Sequence, residues 1–246
     1  MRQSIAELDA RRLLGGGPVV LVSTSWRGNH NVMPAAFVTP LSFDPPLIGL
    51  AVHSSRHTHD MIKYSEEFAL NIPSLELLHH CQYLGSVSGR DLDKLDLTKL
   101  PTFSARKVDA PLLEGCVGYI ECGVHDAMTT GDHTLFIGKV VAAQVEKDAF
   151  DAMWLLNDDE LKPLSYLGQN LYALLGTPIA ARIPKTGDDE ATVEEQIESG
   201  VDQAADETGQ RRERASEEAE HRRREGTAEE QRDRAEAEER KRREAE

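Results

Sequence analysis

The chain has 246 residues and a formal net charge of −15, with 39% hydrophobic and 5% aromatic residues. That length allows one well-buried domain with something appended. Residues 188–246 hold 22 acidic against 12 basic residues, which leaves residues 1–187 at −5; a body of that charge excludes a nucleic-acid-binding face, because phosphate neutralisation needs a basic surface.

In chain order, Ser4 through Leu14 carries Ile5, Leu8 and Leu13 and stops at Gly15-Gly16-Gly17, which predicts a short leading helix with a glycine stop. Three runs rich in Val, Leu and Ile follow, Pro18 to Trp26, Val32 to Leu41 and Leu47 to His53, and each reads as a strand. A Gly-Asn turn makes a hairpin of the first two, and Asp44-Pro45-Pro46 separates the second from the third. Thr58 to Tyr64 fits one or two helical turns, and Phe68, Leu70 and Ile72 alternate as in a half-buried strand. Ser74 is an N-cap residue type for a helix through Tyr83. Two longer strands, Gly115 to Met128 and Thr134 to Val145, meet at the turn Thr129-Thr130-Gly131-Asp132-His133. An apolar patch from Tyr166 to Gly176 closes the body as a helix or a packed arm.

Five or six strands with short helices between them lack the regular alternation of a doubly wound sheet. The pattern is mostly β with inserted helices, a largely antiparallel barrel. Residues 1–184 form the folded domain, and 185–246 form a charged low-complexity tail. Its last part, 210–246, has no large apolar side chain at coiled-coil a and d positions. Pairs of Glu and Arg would make it a solvated helix, or it stays disordered.

Cys81, Cys116 and Cys122 are odd in number and lack CxxC spacing, which points to reduced thiols in a cytoplasm. Cys116 and Cys122 lie six apart in a strand-like run and so are expected on one face. Met1-Arg2-Gln3-Ser4 opens without an apolar signal region, and no stretch approaches the roughly 20 apolar residues of a membrane span. His57 with His59, and His79 with His80, lack a third ligand in a preorganised geometry, so no metal is expected. No GxSxG elbow is present.

The chemistry concentrates in two segments. His53 to Asp60 follows a strand and precedes a helix, so the hydroxyls of Ser54, Ser55 and Thr58 can converge with backbone N–H groups on one anion, and Arg56 adds a guanidinium fork. The same residue types also serve as plain helix caps. Ser88-Gly89-Arg90 offers a hydroxyl, a permissive backbone and a second guanidinium, with Lys94 one helical turn on; an exposed charged loop is the alternative.

The order Asn31-Val32-Met33-Pro34-Ala35-Ala36-Phe37, then Leu41-Ser42-Phe43-Asp44-Pro45-Pro46, then Phe68-Ala69-Leu70-Asn71-Ile72-Pro73 resembles the flavin reductase-like family, in its flavoredoxin branch. So do Ser88-Gly89-Arg90-Asp91 with Asp93-Lys94, and Gly131-Asp132-His133-Thr134-Leu135-Phe136-Ile137-Gly138. The resemblance covers about residues 10–176. It implies an FMN-binding split barrel, usually a homodimer, and an FMN-containing flavoprotein oxidoreductase in which NADH or NADPH reduces the flavin as a transient donor. The electron acceptor is not implied. An FMN electron carrier without NAD(P)H activity is the second reading, and a barrel that merely presents the tail is the third.

Carried over by this resemblance, Asn31 lies close to the flavin and Phe37 contacts its ring, where an aromatic is common. Thr39 is counted with them as cofactor-binding. Thr58, with Ser55 and Arg56, falls at the phosphate loop, and Ser88, Arg90 and Lys94 form the loop that closes on it. His133 is the histidine of the strand turn and the one catalytic candidate. Tyr166 falls near an aromatic that covers the ring.

Overall fold

The aliphatic runs become strands wherever Gly, Pro or Asp punctuates them. The computed structural model describes residues 2–179 and 181; the domain boundary at 184 and the tail 185–246 lie outside the described residues. Contacts divide the chain after Leu175, and the unit Met1–Leu175 carries all the described strands and helices.

The leading segment Glu7–Leu14 is a 3-10 helix. Then come β1 (Val20–Trp26), β2 (Asn29–Ala35), β3 (Val38–Ser42), β4 (Leu47–His53), α1 (His57–Ser65) and β5 (Glu67–Pro73). They are followed by α2 (Leu78–Ser86), α3 (Lys94–Thr98) and the two-residue strands β6 (Thr102–Phe103) and β7 (Leu112–Leu113). The long pair is β8 (Cys116–Thr130) and β9 (His133–Val145), and β10 (Phe150–Asp151) pairs with β11 (Met153–Trp154). The last strands are β12 (Leu164–Gly168) and β13 (Leu171–Leu174).

Seven strands form one antiparallel sheet in the order β2-β1-β5-β8-β9-β4-β3. Laid flat, its two edges would stand about 29 Å apart at the usual spacing between strands. Only Ala36 and Phe37 separate β2 from β3, and the step from Ala35 to Val38 spans at most about 11 Å. The sheet must therefore curl until its edges meet, which gives the expected barrel. Pro34 and Pro40 sit on those two edge strands, where a residue without an N–H costs no ladder bond.

Alternation along the strands sorts side chains into two cores. Val20 and Val22 of β1 join Phe68 and Leu70 of β5 inside the barrel, with Leu50, Val52, Ile62, Cys122 and Phe136. Leu21 and Ala69 face the other way, toward Leu77, Cys81 and Leu84 under α2 and toward Leu112, Leu113 and Leu164. Gly138 is required by this packing, since a Cβ there would stand 2.6 Å from Phe68 Cζ and 2.9 Å from Cys122 Cβ.

Several expectations need correction. The run Val32 to Leu41 is two strands, because the chain crosses between sheet edges at Ala36-Phe37. The first hairpin turns on Arg27 and Gly28, both with positive φ (52° and 79°), as a tight turn matched to strand twist requires. Ser74 stands at the N-cap of a 3-10 turn, Leu75–Leu77, ahead of α2, but its side chain makes no cap bond; its hydroxyl donates to the Gly115 carbonyl at 3.0 Å. Of the two forms expected for Tyr166 to Gly176, a helix or a packed arm, the helix is not found: the segment belongs to the hairpin β12–β13. Cys116 and Cys122 lie in different cores, because a bulge opposite Ile72 and Pro73 flips the alternation between them. All three cysteines are buried free thiols, and burial pushes Cys81 and Cys122 up to about 12.

Candidate functional site

The two polar segments meet. At the start of α1, Arg56 is the N-cap with extended backbone and no side-chain cap bond, so helix capping does not occupy the hydroxyls there. Ser55 Oγ lies 2.8 Å from His53 Nδ1, and Thr58, buried in the first turn, accepts from Asn31 Nδ2 at 2.8 Å. In the second segment Ser88 Oγ accepts from the Arg90 N–H at 3.2 Å, leaving the hydroxyl proton free to donate. Asp93 caps α3 by accepting from the Asp96 N–H. Lys94, the first residue of α3, runs inward and donates to the carbonyls of Val32 (3.1 Å) and Leu84 (2.7 Å). Burial, and then the positive charge of Arg56, bring its ammonium down from 10.5 to about 8.

Asn31, Ser55, Arg56, Thr58, Ser88, Gly89 and Lys94 together line a cavity of about 190 Å3. Asn31 Oδ1 is buried in this wall without a hydrogen-bond partner. Gly89 is held against it so closely that a Cβ would come within 2.1 Å of Oδ1.

Arg90 does not line this cavity. Its guanidinium donates to the Ser55 carbonyl at 2.5 Å and to Asp60 Oδ2 at 2.7 Å, bracing one segment against the other. Burial works to raise the Asp60 carboxyl, but the hydrogen bonds from Arg90 and His59 hold it below its ordinary value. His57, on the same turn, is lowered by burial and by Arg90.

A larger cavity of about 780 Å3 adjoins the first, with Met33, Arg56 and Gly85 common to both walls. Pro34, Phe37, Val52 and Tyr166 give it an apolar lining, and His53, Asp132 and His133 line another part of its wall. Phe37 is 51% exposed, and its ring lies tilted 5.6 Å from that of His133. Tyr166 donates its hydroxyl to the Gln169 carbonyl and packs on Tyr172. Thr39 stands apart, on a third cavity of about 640 Å3 that Phe37 and Tyr166 also border.

Sequence reasoning passed over His53 and Asp132. The available signal was a strand-ending histidine followed by Ser-Ser, with a Gly-Asp-His turn on a strand able to pair with it. Asp132 is held below the usual carboxylate range by the hydrogen bond from His133. Among the described residues no group of three or more His, Cys, Asp or Glu is placed to hold a metal ion, and no helix is long and apolar enough to cross a membrane.

Residues 14–174 match the model of the flavin reductase-like domain, and the chain belongs to that family. It is similar to an uncharacterized protein of Pyrococcus abyssi, 39% identical over 145 residues that make up 58% of this chain and 83% of the relative. Among solved structures it is similar to an FMN-binding protein from Thermus thermophilus at 29% identity and a TM-score of 0.65, covering 74% of this chain and all of that one. It is likewise similar to the flavoredoxin of Desulfovibrio vulgaris at 25% identity and a TM-score of 0.64, covering 73% of this chain and 96% of that one.

Proposed function

We propose that the chain is an FMN-binding oxidoreductase that takes electrons from NADH or NADPH and passes them to an acceptor. The observation that carries this reading is the junction of the two cavities: a small polar one with two cations and a large, mainly apolar one, sharing Met33, Arg56 and Gly85. A flavin mononucleotide has that division, a dianionic phosphate joined to a flat tricycle.

The residues present fit the group. Lys94 has a third N–H beyond the two it donates to carbonyls, and the Ser88 and Thr58 hydroxyls act as acceptors in their existing bonds and keep their protons to donate. Arg56 adds the second charge. The orphaned Asn31 Oδ1 is an acceptor, which a phosphate cannot satisfy and a ribityl hydroxyl can. Phe37 and Tyr166 border the apolar cavity as flanks for the ring. When bound, FMN supplies the hydride-accepting chemistry. The open side at Phe37 leaves room for a nicotinamide to dock transiently, so positioning carries most of the rate.

A homodimer belongs to this reading, supported by the exposed apolar side chains of Leu14, Phe43 and Leu167; sedimentation tests it. Three buried thiols support a reducing compartment.

The test is the visible spectrum of the full chain with FMN, before and after NADH or NADPH under anaerobic conditions. Bleaching of a protein-bound flavin band is expected. No FMN uptake refutes the flavin reading, and bound flavin that neither nucleotide reduces assigns the chain to the electron carriers instead.

A further inference from the structure

The turn between β8 and β9 holds an arrangement that flavin binding alone does not require. His53 ends β4 and His133 opens β9, and the antiparallel register sets them directly opposite each other. Their rings meet edge to face at 5.1 Å. Asp132 is pinned beside them, its carbonyl accepting from the Ser54 N–H at 3.0 Å. One carboxylate oxygen lies 2.6 Å from His133 Nδ1, and the other lies 3.6 Å from His53 Nε2.

The protons in this cluster follow from which partners can only donate and which can only accept. The Ser55 backbone N–H reaches His53 Nδ1 at 3.0 Å and can only donate, so Nδ1 holds the lone pair and Nε2 the proton, toward Asp132. An ionised carboxylate only accepts, so Asp132 draws the His133 proton onto Nδ1. His133 Nε2 then has no hydrogen-bond partner among the described residues, on a side chain that lines the 780 Å3 cavity. Glu7, Arg11 and Arg56 are the other charged groups on that cavity, and none is hydrogen-bonded to either histidine.

We propose that Asp132 and His53 are a positioning pair that fixes His133 with its proton on Nδ1, so that Nε2 handles the proton accompanying hydride transfer. This rests on the flavin reading above. NAD(P)H gives up a hydride, carrying both electrons, and becomes NAD(P)+. Hydride transfer leaves a negative charge that one further proton neutralises; His133 Nε2, which carries the lone pair at rest, takes that proton from solvent at the cavity mouth and passes it inward, returning to the Nδ1-protonated form. The pattern is that of any carboxylate that orients a histidine for proton transfer.

Two measurements on the full chain decide it. Nitrogen-15 NMR of the histidine rings, recorded without flavin, should show His133 protonated on Nδ1, and Asp132→Ala should release it to the Nε2-protonated form. With FMN, Asp132→Ala should lower kcat about 100-fold, the scale of a lost acid–base group, while the nucleotide KM and the FMN Kd stay within about twofold, the level at which binding is unchanged. Asp132→Glu should restore part of the loss. Asp132 is a largely exposed turn residue, its side chain 72% accessible, so these variants should fold. An unchanged tautomer, an unchanged kcat, or FMN affinity that falls in step with kcat overturns the inference. No FMN uptake by the native chain overturns the proton role together with the flavin reading; native uptake with native kcat in Asp132→Ala overturns this inference alone.

Discussion

Replacing Lys94 with methionine removes the buried ammonium while keeping most of the side chain's bulk. Below pH 8 the folded chain bears the cost of charging a buried amine, and the fall from 10.5 to about 8 corresponds to about 3 kcal/mol. The sign is that of a depressed lysine: the unfolded chain binds the proton more tightly, so this cost is fully present below about 8 and is relieved as pH rises toward 10.5. Lys94→Met relieves it but leaves the Val32 and Leu84 carbonyls without their donor, at about 1–3 kcal/mol each. The two effects are of similar size, and the variant should fold.

Phosphate binding responds differently. A hydrogen bond from a charged donor is worth about 1.5–3 kcal/mol, so Lys94→Met should weaken FMN binding about 10- to 150-fold. In the native chain affinity should also fall as pH rises through about 8 and the amine loses its proton; in Lys94→Met that pH dependence should vanish. Flavin fluorescence titrations between about pH 7 and 9.5 read both, since a phosphate monoester is already largely dianionic at the lower limit. Affinity within twofold of native, or identical pH profiles, would show that Lys94 does not face the phosphate.

Three further substitutions separate the parts of the site. Gly89→Ala drives a Cβ to 2.1 Å from Asn31 Oδ1 and should weaken FMN more than about tenfold, with an overpacking cost of about 1–3 kcal/mol in thermal stability; native affinity would mean that Asn31 is not part of the site. Arg90→Ala removes a brace whose ion pair is 44% and 43% exposed, worth about 0–1 kcal/mol, so FMN affinity should fall less than in Lys94→Met. A larger loss would make Arg90 a direct ligand. Glu121→Ala, at a residue that lines none of these cavities, strips the carboxylate that accepts from the N–H groups of Arg106 and Lys107 and should cost about 3 kcal/mol or more in urea unfolding, with FMN affinity unchanged in the folded protein.

Runs such as Pro18 to Trp26 and Leu47 to His53 were legible because they are short, aliphatic and bounded by Gly, Pro or Asp, whereas the break at Ala36-Phe37 inside Val32 to Leu41 carries no such signal. The joining of the two loops was legible from residue type: hydroxyls, a glycine and cations at Ser55 to Thr58 and Ser88 to Lys94 do line one cavity. What escaped is what depends on register. One bulge opposite Ile72 and Pro73 put Cys116 and Cys122 in separate cores despite their even spacing. The His53–His133 pairing exists only because β4 and β9 align at that residue; the strand-ending histidine and the Gly-Asp-His turn hint at it but do not fix the register. Arg90 and Lys94 look alike as cations four apart; only the three-dimensional positions of Asp60, Val32 and Leu84 turn one outward as a brace and the other inward.

The most direct measurement compares FMN with riboflavin, which lacks the phosphate, by equilibrium titration of the full chain at pH 7. If the phosphate lies in the cavity lined by Arg56, Ser88 and Lys94, FMN should bind at least about 100-fold more tightly, the sum of two modest charged hydrogen bonds. Equal affinity for the two, or no binding of either, would contradict the assignment of that cavity to the cofactor.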